Sequence, residues 1–213
     1  MWKLILTVGA CVRRNSYANM SEKQEVPVGL FYSTNVFPAI CAEGAKECGN
    51  CQRCLLAAID AKPWSTALAR RTQHYGARYD YKSRKLVYDA EPLTSCKAVS
   101  TVCTFLNPIF RTITADEKAT IGQAINNEYV RKQVITPHTD HKGCFGPVIG
   151  TASLGDAMTM IFSRAGYEPY SLRLEPGSVL VLSGEARYEW QHELVAESSS
   201  TFRRVSITCR LIK

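Results

Sequence analysis

The sequence predicts a mainly β domain of the α+β class, a β-sandwich or jelly roll with helical segments near its N-terminus. Short β-rich segments follow one another after residue 133 without intervening helices, and Gly166 and Pro176-Gly177 punctuate them. The chain has 213 residues, of which 46% are hydrophobic, enough for one core of ordinary size. The predicted strands are 134–137, 148–154, 158–162, 171–174, 179–182, 188–194 and 203–212.

The N-terminal part mixes strand and helix signals. Residues 30–32 form a predicted strand. A helical segment follows, in which Cys48, Cys51 and Leu55 recur at helical spacing until Pro63. In 71–81 the aromatic side chains stand at odd positions, Tyr75, Tyr79 and Tyr81, which predicts a pair of strands that turns at Gly76.

A helix is also predicted before the β-rich half. Thr114 followed by Glu117 matches a capping box, and a helix from there to about Asn126 would place Ile121 and Ile125 on its buried face.

Charge and composition limit the classes of partner and compartment. The net charge of +7 favours polyanions such as nucleic acid. The nine cysteines are odd in number and suggest no disulfide framework, which favours a reducing compartment. No apolar run is long enough to span a bilayer. Residues 1–21 contain three cations and no acid, which fits either a targeting peptide or a disordered extension.

A metal site is predicted at His138 and Asp140. The two side chains are two residues apart, so on an extended segment they project from one face and can hold one ion. A third ligand must come from elsewhere. His74 lies in the aromatic segment and His141 should point to the opposite face, which leaves His192. Two imidazoles and one carboxylate suit Fe(II) with open positions, and a zinc hydrolase uses the same types of ligand.

The last predicted strand carries a cationic face. Arg204, Ser206, Thr208 and Arg210 alternate with apolar residues. Arginines directed into a barrel are costly unless they meet an anion, and a dicarboxylate fits that requirement. The other interpretation is an edge strand with its polar face in water.

Together these residues resemble the AlkB-like family of Fe(II)/2-oxoglutarate dioxygenases. The similarity covers residues 28–213 in the expected order. The matching stretches are RRTQHYG (70–76), NEY (127–129), HTD (138–140), FGPVI (145–149), SLG (153–155), GEARY (184–188) with His192, and 204–210.

The resemblance implies a double-stranded β-helix of the jelly-roll type with a nucleotide-recognition lid. It implies that His138, Asp140 and His192 hold catalytic iron, and that Arg204, supported by Ser206, binds the distal carboxylate of 2-oxoglutarate. Asn127, Tyr129, Thr208 and Arg210 match residues that line the rest of the co-substrate pocket. We expect a flexible or targeting extension in 1–25 and a single domain in 26–213, with the lid and supporting helices in 26–95 and the catalytic core in 96–213.

A substrate lid is predicted in the basic and aromatic segment 70–85. Its members Tyr75, Arg78, Tyr79 and Tyr81 suit phosphates and an unpaired or flipped base. The alternative is a surface hairpin with solvated cations. Lys142 stands where some relatives have an acidic residue for base selection, so the base preference does not transfer.

Four cysteines in 41–54 superficially resemble a zinc or iron–sulfur site. Residues three apart on a helix drift around its surface, so the sequence favours Cys48, Cys51 and Cys54 as small buried side chains, with Cys41 upstream.

The sequence therefore predicts an enzyme that uses Fe(II), 2-oxoglutarate and O2 to demethylate N-alkylated nucleobases in DNA or RNA. The products are succinate, CO2 and formaldehyde. The alternatives are the same chemistry on a methylated protein or small molecule, and a non-catalytic nucleic-acid-binding module. We expect a monomer in the cytoplasm or nucleus, or in an organelle if residues 1–21 are a targeting signal.

Overall fold

The computed structural model describes residues 25–41, 48–197 and 199–213. The predicted N-terminal extension and targeting segment lie outside the described residues, except for residue 25. In chain order the elements are β1 (Leu30–Ser33), α1 (Gln52–Asp60), β2 (Thr72–Gly76), β3 (Arg78–Asp80), β4 (Lys85–Val87), a 3-10 turn (Leu93–Ser95), α2 (Lys97–Thr114), β5 (Gln123–Val130), β6 (Ile135–His138), β7 (Phe145–Gly155), β8 (Met158–Ser163), β9 (Tyr170–Leu174), β10 (Val179–Leu182), α3 (Gly184–Tyr188), β11 (Gln191–Leu194) and β12 (Arg203–Ile212).

Two antiparallel sheets form the body of the molecule. The major sheet has the order β1-β10-β7-β12-β5-β2, and the minor sheet has the order β6-β11-β8-β9. One hydrophobic cluster packs α1 and α2 against the major sheet, and a second cluster includes apolar residues of both sheets. The predicted jelly-roll architecture is confirmed, and it leaves a cavity between the sheets.

The strand β12 lies at the centre of the major sheet, between β7 and β5. Its apolar face, with Val205, Ile207 and Cys209, is fully buried in the helix-facing core. Burial of a Val or Ile side chain contributes about 1.5–3 kcal/mol. The opposite face lines the cavity. The alternation is therefore as predicted, and the alternative of an edge strand facing water is wrong.

The helix predicted from Thr114 to Asn126 is wrong, because Thr114 ends a helix and does not begin one. Its hydroxyl donates to the carbonyl of Phe110 at 2.8 Å, and Ala115 leaves the helix with a left-handed φ of 51°. Residues 123–126 instead belong to β5. The preceding helix, α2, packs closely on β7 at Gly150, where a Cβ atom would lie 2.7 Å from Cδ1 of Leu106.

The predicted pairing of two strands around Gly76 is also wrong. β2 pairs with β5, whereas β3 pairs with β4. Gly76 has a φ of +73°, and the chain changes direction there. The odd-numbered tyrosines therefore do not share one face: Tyr75 is 2% exposed and lies in the helix-facing core, on the side opposite to the cavity.

Two predicted boundaries shift. α1 begins at Gln52, so Cys48 precedes the helix and Cys51 is its N-cap. The predicted strand 188–194 begins with the end of α3, and β11 occupies only Gln191–Leu194. Leu55 and Ile59 of α1 are fully buried, as the helical spacing predicts.

The major sheet draws on both predicted portions of the domain. β1 and β2, from 26–95, pair with β10 and β5, from 96–213. The division at residue 95 stays a prediction. None of the helices in the described ranges combines the length and apolar character needed to cross a bilayer.

Candidate functional site

The two histidines predicted as ligands lie on neighbouring strands of the minor sheet. His138 on β6 is directly opposite His192 on β11 in the antiparallel ladder, and their ring centroids are 4.5 Å apart. Side chains directly opposite each other in such a ladder project from the same face. The pairing therefore brings together two residues that are far apart in the sequence.

Asp140 completes the group two residues beyond His138. Its Oδ1 lies 3.6 Å from Nε2 of His138, and one ligand atom from each of His138, Asp140 and His192 lies within 4.8 Å of the others. Asp140 follows the end of β6, so the chain bends at the point where it supplies the carboxylate. Two imidazoles and one carboxylate fit a divalent metal ion with open positions.

The surroundings of His138 and His192 favour forms of the imidazole ring that can bind a metal. Nδ1 of His138 lies 2.8 Å from the carbonyl oxygen of Thr136, and since a carbonyl only accepts, this contact places a proton on Nδ1 and leaves Nε2 as a ligand. Burial lowers the pKa of His192 to about 4, although Asp140 opposes that shift. His192 is therefore neutral near pH 7, which is the form that binds metals.

Asp140 remains charged although it is buried. Burial acts to raise its pKa, but Arg210, His138 and His192 together hold the pKa well below the usual value. Nε of Arg210 donates to Oδ2 at 2.7 Å, and Nη1 of Arg187 donates to the Asp140 carbonyl at 3.0 Å. These contacts fix the carboxylate in place and leave Oδ1 directed toward His138.

A cavity of about 690 Å³ opens from this group between the sheets. All the residues predicted for the co-substrate line it: Asn127, Tyr129, Arg204, Ser206, Thr208 and Arg210. Arg210 is held by Asp140 and by Gln123. Asn127 accepts from Nε of Arg70 at 2.8 Å.

Arg204 differs from these neighbours because it is almost unpaired. The residue is 1% exposed, and its Nη2 donates to Oγ of Ser153 at 2.9 Å. Its Nε and Nη1 are buried and have no hydrogen-bond partner among the described residues. Burial lowers the pKa of Arg204 to about 10, so the group is still cationic at neutral pH. A buried cation with two free donors fits a carboxylate bound in the cavity.

The mouth of the cavity is aromatic and basic. Tyr79 contacts the other three rings of this group: its ring centroid lies 5.1 Å from that of Tyr81, 5.5 Å from that of His141 and 5.8 Å from that of Phe145. His141 was expected on the face opposite to the metal pair and instead lines this rim. Cationic side chains complete the lining: Arg70, Arg84 and Lys142.

Two predicted lid residues lie elsewhere. Tyr75 is buried in the core, where its hydroxyl donates to Gln73 at 3.1 Å, so it cannot stack on a substrate. Arg78 forms a two-pronged ion pair with Asp89 and does not line the cavity. The lid prediction therefore stays with Tyr79 and Tyr81.

Two further residues of the site, Arg187 and His74, were not predicted from the sequence. Arg187 is 2% exposed beside Asp140, in a five-residue helix that no periodic pattern marks. His74 lines the cavity from β2, and burial lowers its pKa to about 4, which makes it a neutral wall residue at pH 7. The pairing of β2 with β5 turns His74 toward the cavity, and the wrong hairpin prediction concealed that.

A family model described as the 2OG-Fe(II) oxygenase superfamily matches residues 43–210. An Arabidopsis thaliana "Alkylated DNA repair protein ALKBH8 homolog" is 29% identical over 195 residues, which cover 75% of this chain and 54% of that protein. The Bos taurus "Alpha-ketoglutarate-dependent dioxygenase alkB homolog 7, mitochondrial" is 35% identical over 86 residues, which cover 36% of this chain and 39% of that protein.

Solved structures share the fold. The structure of OsALKBH1 superimposes with a TM-score of 0.58 at 15% identity and covers 89% of this chain and 99% of that one. This chain spans about half the length of the Arabidopsis relative and less of the bovine one.

Proposed function

The chain belongs to the 2OG-Fe(II) oxygenase superfamily, whose cofactors are Fe(II), 2-oxoglutarate and O2, and we propose that it oxidatively demethylates N-alkylated nucleobases in DNA or RNA. The predicted class of enzyme, a 2-oxoglutarate-dependent dioxygenase, and the predicted resemblance to AlkB-like members are confirmed by the comparisons. The ligand residues and the substrate are proposals.

The partly unpaired guanidinium of Arg204 carries the proposal for the cavity. Arg204 lines the same cavity as His138, Asp140 and His192, and its Nε and Nη1 have no hydrogen-bond partner among the described residues. A dicarboxylate suits both groups, because one carboxylate pairs with the arginine and the other end would bind the metal ion held by the three ligands. Ser206 and Thr208, which follow Arg204 on the cavity face of β12, offer hydroxyl groups along the way.

The protein's part in the reaction is to bind and orient. His138, Asp140 and His192 would hold the iron, and Arg210 keeps the Asp140 carboxylate anionic and fixed. When bound, iron with 2-oxoglutarate and O2 supplies the oxidation that yields succinate, CO2 and a hydroxymethyl group on the substrate nitrogen, which leaves as formaldehyde. The apolar wall residues Leu180, Leu182 and Met160 restrict water in the cavity.

The rim supports a nucleic-acid substrate. Tyr79 and Tyr81 present aromatic faces at the mouth of the cavity, and Arg70, Arg84 and Lys142 add positive charge beside them. Stacking together with phosphate contacts is how proteins hold an unpaired or flipped base. The net charge of +7 favours the same partner. We therefore propose a single-stranded or locally opened substrate, bound by a monomer.

The names of the relatives agree with this proposal in part. The Arabidopsis relative is named for alkylated DNA repair, and the bovine relative is named as mitochondrial. We propose a cytoplasmic or nuclear location, with an organelle as the alternative if residues 1–21 act as a targeting signal.

The experiment is a substrate panel. Purified protein with Fe(II), ascorbate and 2-oxoglutarate is incubated with N-methylated DNA and RNA oligonucleotides, with the same oligonucleotides unmethylated, and with methylated peptides. We expect equal amounts of succinate and formaldehyde from a methylated oligonucleotide, and no formaldehyde from its unmethylated control.

Other results separate the alternatives. Formaldehyde from peptides alone would contradict the nucleic-acid proposal and favour the same chemistry on a protein. If the protein bound oligonucleotides but neither bound 2-oxoglutarate nor formed succinate, it would be a non-catalytic binding module on this scaffold.

A further inference from the structure

Four cysteine side chains converge near the start of α1, and none of them lines the cavity. The Sγ atom of Cys41 lies 3.5 Å from that of Cys51 and 3.6 Å from that of Cys54, and Cys48 completes a group whose four sulfur atoms all lie within 4.8 Å of one another. The expectation that Cys48, Cys51 and Cys54 drift around the surface of one helix is wrong, because Cys48 and Cys51 are not part of the helix.

The local backbone explains the convergence. Cys51 is the N-cap of α1, with an extended backbone at φ −82° and ψ 157°, and its sulfur accepts from the amide of Cys54 at 3.4 Å. The amide of Cys51 donates to the sulfur of Cys48 at 3.2 Å, and the amide of Cys48 donates to the sulfur of Cys41 at 3.3 Å. Three successive N–H···S bonds thus hold the thiols around one centre, and such bonds favour thiolates.

The spacing of the sulfur atoms selects a type of occupant. Four thiolates at about 2.3 Å from one zinc ion lie about 3.8 Å apart along the edges of a tetrahedron. The distances of 3.5 and 3.6 Å match that edge. A disulfide needs about 2.05 Å, and a four-iron cluster spreads its cysteines farther because each binds a different iron.

The surrounding charges suit a tetrathiolate. A zinc ion with four thiolates carries two net negative charges, which need nearby cations. Nη2 of Arg53 lies 3.8 Å from Sγ of Cys41. Lys97 at the start of α2 lies against Gly49, where a Cβ atom would be 3.1 Å from its Nζ. The cluster also lies at the positive end of the nine-residue helix α1.

We propose that Cys41, Cys48, Cys51 and Cys54 form a structural zinc site. Cys51 is fully buried and Cys41 is 9% exposed, and none of the four lines the cavity. A site closed by four protein ligands has no open position for a substrate, which is typical of structural zinc.

The site fixes the connection between β1 and α1. Just before it, the amide of Phe37 donates to the carbonyl of Gly177 at 3.0 Å. Within it, between Cys51 and Cys54, the amide of Gln52 donates to the carbonyl of Pro38 at 2.8 Å. Zinc therefore holds together the segment that joins the edge strand of the major sheet to the helix packed on that sheet.

The test must distinguish this zinc from zinc in the His-Asp-His group, so it uses the His138→Ala protein. We expect this protein to contain one zinc per chain by elemental mass spectrometry. Cys51→Ser in the same background should remove that zinc, whereas Cys144→Ser, a half-buried thiol outside the cluster, should leave it unchanged.

X-ray absorption at the zinc edge makes the test independent of whether the Cys51 variant folds. We expect four sulfur neighbours at about 2.3 Å in the His138→Ala protein. A shell of nitrogen or oxygen, bound iron in place of zinc, or a metal-free protein with a disulfide or free thiols at these positions would overturn the proposal.

Discussion

The two groups of candidate metal ligands among the described residues differ in the number of their ligands and in what surrounds them. His138, Asp140 and His192 offer three ligands and face a cavity of about 690 Å³. The cysteine cluster offers four ligands, none of which lines that cavity. Three ligands leave coordination positions for reactants, and four leave none. The first group therefore suits a reaction, and the second suits structural support.

The two groups also differ in whether the polar atoms around them already have hydrogen-bond partners. In the cysteine cluster, three backbone amides already donate to the sulfur atoms. Around the cavity, buried polar atoms lack partners among the described residues, including Nε and Nη1 of Arg204 and Nδ1 of His192. Unpaired buried groups cost stability, and proteins retain them where a ligand completes the set.

The largest effect is expected from Asp140→Ala. Loss of the carboxylate removes one of the three ligands and the partner of Arg210, so turnover should fall to background in the succinate assay. The zinc content of the cysteine cluster should not change. Asp116→Ala, in the loop after α2, is the matched control and should keep full turnover. Turnover retained by Asp140→Ala would eliminate the proposed iron site.

Arg204→Met should raise the KM for 2-oxoglutarate by about 30-fold or more, since removing one partner of a buried charge pair costs about 2 kcal/mol at least. In the absence of 2-oxoglutarate the same variant should be as stable as the parent or more stable. The reason is that the substitution removes a buried cation that lacks a counter-ion. Steady-state kinetics at varied 2-oxoglutarate concentration and thermal melts measure the two effects.

The control for Arg204 is Arg173→Met, which breaks a surface ion pair with Glu197 and a hydrogen bond to Thr159, both outside the cavity. A 2-oxoglutarate KM that stays normal in Arg204→Met, with a large loss of stability, would make Arg204 a structural residue and would remove the cavity's anion site.

Tyr79→Ala should raise the KM for a methylated oligonucleotide about tenfold while leaving the KM for 2-oxoglutarate unchanged, because stacking of one base contributes about 1–3 kcal/mol. Tyr79→Phe should restore the parent value, since the ring remains. Tyr88→Ala is the control, because Tyr88 is 71% exposed and does not line the cavity. Equal KM values for the oligonucleotide in all variants would contradict the aromatic lid.

The sequence predicted best where a pattern has one structural meaning. The alternation along 204–210 places Arg204 and Arg210 on the face of a strand opposite to its apolar residues, and β12 does so. The helix α2 was missed because it is rich in Val and Thr, contains Pro108 and has no side-chain cap, whereas Thr114 and Glu117 imitate a helix start.

The cysteine cluster was misjudged for a related reason. Cysteine is not among the residues that usually cap helices, so the sequence does not reveal that Cys51 ends the extended segment and that Cys48 lies outside α1. The spacing of three then appears helical. A metal site depends on this switch of backbone conformation, which only the structure shows.

The smallest kinetic effect is expected from removing the zinc. A thiol-specific reagent that releases zinc from the cysteine cluster should lower the Tm by more than about 5 °C, because metal binding contributes folding free energy. Below that lower Tm, the KM for 2-oxoglutarate should change less than twofold, because Arg204 lies on β12 and none of the cysteines reaches the cavity. The His138→Ala protein should show the same fall in Tm. If zinc release left the Tm unchanged, or if it raised the KM as much as Arg204→Met does, the two groups would not be divided between support and chemistry.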